Sequence, residues 1–340
     1  MTTHTSTASR GGGNSSAPAR RPRQSPHRSS GLPDWVVPYV LLLPGLLVIA
    51  ALLLYPLYQI IDMSFHKVGL AQIKAINPRP AEFVGVDNYT HIFESDLFWP
   101  SLRNTILFAA VTVALTLILG TLVGLLLNKL GKKMSMLVIV GIMAAWATPP
   151  TAQSVVWKWI FDSDSGVVNW SLNLVPTWLS ELVFGVSDWS GHPWFNSTIT
   201  IYFVFVIMVV WGAFPFIAVS VLAGLKSIPS ELYEAAQMDG SGPFTTFRKV
   251  TFPLLKPVFS VLMVLSIIWD FKVFTQLYLL GGGTVNRDAF NLSLWSYAEA
   301  FSNPPKMGIG AAIAVVLTAI LLVITFVYVR QIVKTEDDIR

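Results

Sequence analysis

Six long apolar runs, each near the ~20 residues a helix needs to cross a bilayer, punctuate this chain. They fall at about residues 38–62, 103–127, 135–160, 198–224, 257–280 and 308–331. Within each run the apolar positions are continuous rather than alternating, which predicts helices. Only helices and closed barrels cross lipid without orphaning backbone groups, and a barrel would need alternation. Ahead of the first run, residues 1–33 are rich in Ser, Thr, Pro, Gly and Arg and nearly devoid of large apolar side chains. Such a segment is expected to be a disordered tail. It lacks the short apolar core and small-residue cleavage site of a signal peptide. The predicted organisation is a basic tail over 1–33, a six-helix membrane domain over 34–335 and a short C-terminus over 336–340.

Prolines lie inside several runs: Pro44 and Pro56 in the first, Pro149 and Pro150 in the third, Pro215 in the fourth. Each removes a backbone donor and is expected to bend its helix. Gly120 and Gly124 form a small-xxx-small pair suited to close helix contact.

Charge placement orients the runs. Most of the 23 Lys and Arg residues fall in the tail, the Lys129–Lys133 turn, the 226–256 loop and the C-terminus. Both termini are therefore expected to be cytoplasmic. The outward loops, about 63–102, 161–197 and 281–307, carry many aromatics, and Trp157, Lys158 and Trp159 close the third run as an interfacial belt. Arg10, Arg20, Arg21, Arg23 and Arg28 in the tail suit anionic lipid headgroups better than nucleic acid.

Composition narrows the chemistry. Of 340 residues 53% are hydrophobic and 12% charged, with mean hydropathy +0.60, against roughly 25% charged in a soluble domain. With no cysteine, disulfides, thiolate metal sites and Cys nucleophiles are excluded. The five histidines lack metal-ligand spacing. No Gly-x-x-x-x-Gly-Lys-Ser/Thr phosphate loop occurs; the nearest cluster, Gly281-Gly282-Gly283, lacks the lysine. Any nucleotide chemistry belongs to another polypeptide.

The loop between the fourth and fifth runs has its own logic. Pro229 suits a first helical turn, residues 230–238 favour helix, and Gly240 stands where a left-handed cap belongs. Pro243 is expected to open a second short helix to about Val250, after which Pro253 and Pro257 turn the chain into the fifth span. Leu232, Tyr233, Ala236, Phe244 and Phe247 would be its apolar contacts, and the helix pair suits helix-in-groove recognition. An amphipathic connector lying in the headgroups is the blander reading.

Glu234-Ala235-Ala236-Gln237-Met238-Asp239-Gly240, closing at Val250-Thr251-Phe252-Pro253, resembles the EAA loop of binding-protein-dependent ABC importers. Phe83-Val84-Gly85-Val86-Asp87-Asn88-Tyr89, Trp157-Lys158-Trp159-Ile160-Phe161 and Phe271 to Gly283 resemble segments of the maltose-type carbohydrate uptake permeases. The likeness covers about residues 35–335. It implies an all-α, six-span type I ABC importer permease in a bacterial cell membrane, itself not an enzyme and holding no cofactor. The partners implied are a second permease, two cytoplasmic ATPases that bind ATP and Mg, and an external sugar-binding lipoprotein or periplasmic protein. Glu234, Ala235, Ala236, Asp239, Gly240 and Pro253 would couple to an ATPase. The cargo implied is a disaccharide or short oligosaccharide, by family habit one like cellobiose or diacetylchitobiose. A permease for an anion, polyamine or peptide is the alternative, and a stand-alone channel or carrier a more distant one.

For the route itself, ionisable residues inside a span are costly and mark function or pairing. Asp270 and Lys272 lie in the fifth run. On an unbroken helix Trp269, Lys272, Val273 and Gln276 share one face, an aromatic beside hydrogen-bonding groups that suits a sugar. Trp211 and Phe214, with Phe216, flank Pro215 and would supply a second wall. The competing reading pairs Asp270 and Lys272 with neighbouring helices or snorkels them to the surface.

Overall fold

The computed structural model describes residues 33, 36–73, 79–281 and 286–337; the basic tail and the Gly282–Gly283 pair lie outside them. Contacts divide the chain between Leu54 and Tyr55. The first unit holds α1 (Val37–Ile49), with Pro44 inside it, running into a π-helical turn at Ala50–Leu54. No residue of α1 is buried. A helix apolar all round suits a membrane span rather than the surface of a water-soluble domain.

The second unit begins with α2 (Tyr55–Ser64) and a short connecting segment. That segment carries α3 (Leu70–Ile73), α4 (Asp87–Glu94) and an antiparallel pair, β1 (His66–Lys67) with β2 (Glu82–Phe83). The Asn88-Tyr89 pair has a structural task here. Asn88 Nδ2 donates to the carbonyls of Ser64 (2.8 Å) and His66 (3.1 Å), and Tyr89 Oη lies 2.6 Å from Ser64 Oγ. These bonds satisfy carbonyls that the end of α2 leaves open.

The body comprises α5 (Phe98–Lys129), α6 (Lys132–Ala147), α7 (Pro150–Ile160), the outer-loop helices α8 (Val167–Leu172) and α9 (Thr177–Phe184), and α10 (Thr198–Lys226). It continues with α11 (Ser230–Met238), α12 (Pro243–Thr246), α13 (Phe252–Phe271), α14 (Thr275–Leu280), α15 (Leu292–Phe301) and α16 (Met307–Asp337). By length and composition five stretches can cross a membrane: Val37–Ser64, Phe98–Lys129, Thr198–Lys226, Pro243–Phe271 and Met307–Gln331. Taken as one bent span, α6 and α7 make the sixth, broken by 96°.

The α5–α10 pair is the densest contact in the body, and its glycines explain the close approach. A Cβ on Gly120 would meet Ile217 Cβ at 2.5 Å, and one on Gly124 would meet the Ala218 carbonyl at 2.9 Å. Neither space exists, so larger residues would force the helices apart. Farther toward the 226 end, Ile217, Val221, Leu225, Leu255 and Leu262 form a core that ties α10 to α13.

The fifth span departs from expectation. It was expected over about 257–280, entered through proline turns. Instead Pro243 starts a helix that continues through a π-helical turn, Phe247–Thr251, into α13 and ends at Phe271. Pro253 and Pro257 lie within it. The π-turn immediately before Pro253 relaxes the ladder where the missing N–H and the ring would otherwise conflict with helix.

A candidate coupling segment and an aromatic corner between two broken spans

The EAA-like residues form a capped helix. The N–H of Ser241 donates to the Ala236 carbonyl and that of Gly240 to the Gln237 carbonyl, both at 2.9 Å, with Gly240 at φ +73°. This is a Schellman closure, which requires a left-handed residue at the Gly240 position. The helix is held against the next span by a Thr251 Oγ1 to Tyr233 Oη contact of 3.4 Å. Among the sequence-selected residues, Glu234, Ala235, Asp239, Gly240 and Pro253 are exposed, while Ala236 is buried. Ala236 thus packs inward, against its own chain. The exposed apolar side chains of the segment are Phe244, 76% exposed, Met238, 89% exposed, and Leu232. Met238 was not among the expected contacts. Its signal was a flexible thioether at the outer end of a polar helix, the side chain that adapts best to a partner's groove.

The route residues are arranged differently from the single helical stripe expected. Helix α13 stops at Phe271; Lys272 (φ −98°, ψ 1°) and Phe274 (φ −127°, ψ −53°) leave helical geometry before α14 begins. Trp269 and Gln276 therefore do not share a face. The break persists because other groups satisfy it: Asn291 Nδ2 donates to the Val273 carbonyl at 2.9 Å and Ser293 Oγ to the Phe271 carbonyl at 3.3 Å. Asp270 turns inward and is buried, Lys272 is exposed, and Gln276 is half-buried.

The third span breaks too, at Thr148-Pro149. Gln153, buried, turns back and donates from Nε2 to the carbonyls of Thr148 (3.0 Å) and Ala145 (3.3 Å). A Cβ on Gly212 would lie 3.0 Å from the Gln153 amide, so α10 is glycine where this cap needs room. The helices that follow the two breaks, α7 and α14, pack on one another. Interrupted helices whose freed backbone lines a cavity are the usual architecture of solute sites in transporters.

Aromatics join these breaks. Trp269, 41% exposed, meets Phe216 edge-on at 5.4 Å, and Phe216 stacks with Trp146 at 6.0 Å. Trp211 lies edge-on to Trp157 at 6.0 Å. The structure thus brings Trp269 to Phe216, whereas Trp211 belongs with α7, and only the backbone carbonyl of Phe214 faces Gly120. Trp146 escaped sequence reasoning because an aromatic within an apolar run looks like packing. Among the described residues, no group of three His, Asp or Glu side chains is placed to hold a metal ion.

Comparison with known proteins bears on this arrangement. Residues 116–335 match the family described as binding-protein-dependent transport system inner membrane component. The diacetylchitobiose uptake system permease protein DasB of Streptomyces coelicolor is 37% identical over 303 residues, covering 89% of this chain and 88% of that protein. The trehalose/maltose transport system permease protein MalF of Thermococcus litoralis is 33% identical, covering 86% and 92%. In fold, the chain is similar to a subunit in the crystal structure of a bacterial ABC transporter that imports the acidic polysaccharide alginate. The TM-score there is 0.70 at 20% identity, over 88% of this chain and 95% of that one. The all-α spans, the capped loop between the fourth and fifth, and these matches together make the chain a multi-pass membrane protein of the binding-protein-dependent transport system inner membrane component family.

Proposed function

We propose that this chain is one permease subunit of an ATP-driven sugar importer, taking a disaccharide or short oligosaccharide from an external binding protein into the cytoplasm. The observation that carries the reading is one continuous helix, Pro243–Phe271, with the capped α11 segment at one end and the aromatic corner at the other. The permeases it resembles supply the cargo class.

In this reading Glu234, Ala235, Asp239 and Gly240, with Met238 and Phe244, dock into a groove of a cytoplasmic ATPase that holds ATP and Mg. Pro253 shapes the span behind them. A second permease encloses the other half of the route. The termini and the 226–256 loop face the cytoplasm. Closure of the ATPase pair moves α11, and the span it adjoins reorients between inward- and outward-facing states. At the corner, Trp269, Phe216 and Trp146 offer flat faces to the apolar side of a sugar ring, with Lys272 and Gln276 near the break as candidates for its hydroxyls. This chain makes and breaks no covalent bond.

The test is reconstitution. The chain, coexpressed with the permease, ATPase and binding protein encoded beside it, is expected to purify as one complex. Its ATP hydrolysis should rise with sugar-loaded binding protein. Accumulation of a labelled amino acid or polyamine, with no oligosaccharide taken up, would reject the cargo class while leaving the coupling intact. Failure of any ATPase to copurify would reject the coupling.

A further inference from the structure

The outer loop between the third and fourth spans is more than a connection. Its two short helices, α8 and α9, are pinned from within. Asn169 Nδ2 donates to the Ser163 carbonyl (3.0 Å), and Asn169 Oδ1 accepts from Trp194 Nε1 (2.6 Å). Ser180 Oγ donates to the Val186 carbonyl (2.6 Å) and accepts from Trp189 Nε1 (2.7 Å). Trp189 and Trp194 stack on each other at 5.6 Å and are both buried. The turn that enters the loop is fixed as well: Asp162 Oδ1 accepts from the N–H of Ser165 (2.8 Å) and of Asp164 (3.1 Å).

So firm an inner face should serve whatever the outer face does, and that face is apolar. Trp170, Leu174, Trp178, Leu182, Val183 and Phe184 are all exposed, Leu174 at 67% and Leu182 at 77%. On α7, which precedes them in the chain, Val155, Val156 and Trp159 are exposed as well. The only charge on the two helices is Glu181, and residues 161–197 contain no Lys or Arg.

We propose that α8 and α9 lie in the outer headgroup layer of the bilayer as an interfacial anchor, with the occupant of their exposed face being lipid. Three arguments carry this. The two helices follow closely on α7, the end of a candidate span, so the chain leaves the membrane at their start and their depth is that of the interface. Trp170 and Trp178 are of the side-chain type enriched there, an apolar ring with a polar N–H. A water-soluble partner that docked and left would expose six large apolar side chains at every departure, and exposed patches of that kind are rare. Without basic residues the attraction is apolar burial rather than charge, so it is indifferent to anionic lipid and to salt. The anchor would fix the depth of α7, and with it α14, on which α7 packs. It rests on the membrane placement of the chain and not on the cargo.

Because the chain has no cysteine, one introduced thiol reports one place once the partner subunits are used in cysteine-free form. The assembled transporter carrying Leu174→Cys, labelled with an environment-sensitive fluorophore, is placed in nanodiscs of zwitterionic lipid bearing headgroup-level nitroxides. Lipid nitroxide is expected to quench it severalfold more than aqueous iodide does, at low and high salt alike. Asp188→Cys, in an exposed turn of the same loop, should show the reverse preference. Leu182→Cys repeats the measurement where Leu174→Cys assembles poorly. Iodide dominating at both apolar positions would overturn the proposal. So would protection from both quenchers, which means a protein cover, or lipid quenching that vanishes when the external binding protein is added.

Discussion

Gly240 is the residue whose conformation most constrains the coupling segment. At φ +73° it occupies a region that costs a side-chain-bearing residue on the order of 1–2 kcal/mol. Nothing lies within 4 Å of an added Cβ, so a replacement meets backbone strain without a clash. Gly240→Val is therefore expected to insert and assemble normally in the membrane while uptake falls, with Gly240→Asn nearly normal because Asn tolerates left-handed backbone. Full uptake by the valine variant at equal expression would remove the segment from the coupling role. Near the far end of the Pro243–Phe271 helix, Phe216 of α10 touches both Trp269 and Trp146. An aromatic contact is worth about 0.5–1.5 kcal/mol, so Phe216→Ala should weaken uptake by up to roughly tenfold. Sugar-independent ATPase activity should be unchanged. If instead the complex no longer assembles, Phe216 is packing.

At the scale of elements, apolar runs showed where spans exist and concealed where they break. Pro149 and Pro150 announced the third-span break, because a residue before proline avoids helix. Nothing comparable marks Lys272–Phe274. There the stabilising donors come from Asn291 and Ser293, nearly twenty residues onward, and a window along the chain does not see them. The reverse error occurred at Pro253 and Pro257, which locally favour a turn. The π-helical turn at Phe247–Thr251 and burial of Leu255 and Leu262 on α10 keep the segment helical. The Schellman cap was legible because its requirement is local: helix formers, then Gly, in a fixed order. Asn291 makes a direct test of the fifth-span break. It is 2% exposed, and it also accepts from the Leu294 N–H at 2.8 Å to cap α15. Asn291→Ala leaves a buried N–H and a partly buried carbonyl unpaired, at up to about 1–3 kcal/mol each. The purified complex should melt several degrees lower and transport less. An unchanged melting temperature would mean the break is held by other means.

For the whole molecule, the spans fix a topology that fusions can read. Reporters joined after Lys133 and after Arg248 are expected to be active as cytoplasmic fusions, and those near Asp87, Asp188 and Arg287 as external ones. A single reversed interior loop would break the six-span arrangement. The small pair of β1 and β2 sits between helical elements without altering that count. Deleting residues 2–30 should leave uptake nearly intact, since polar termini seldom carry contacts of the folded body; loss of uptake with the protein still in the membrane would assign the tail a role. That tail lies outside the described residues.

The unbroken helix from Pro243 to Phe271 has a mechanical consequence. At ~1.5 Å per residue its 29 residues make a beam about 43 Å long. Its tightest support is where Leu255 and Val258 press on Gly224, 2.7 and 3.3 Å from where a Cβ there would stand. That fulcrum divides the beam into arms of about 18 and 20 Å. A seesaw with equal arms converts inward travel at one end into outward travel of similar size at the other. Two such beams side by side, one per permease in the proposed assembly, would work as a clothes peg, so that closing the handles opens the jaws and both ends cannot gape at once.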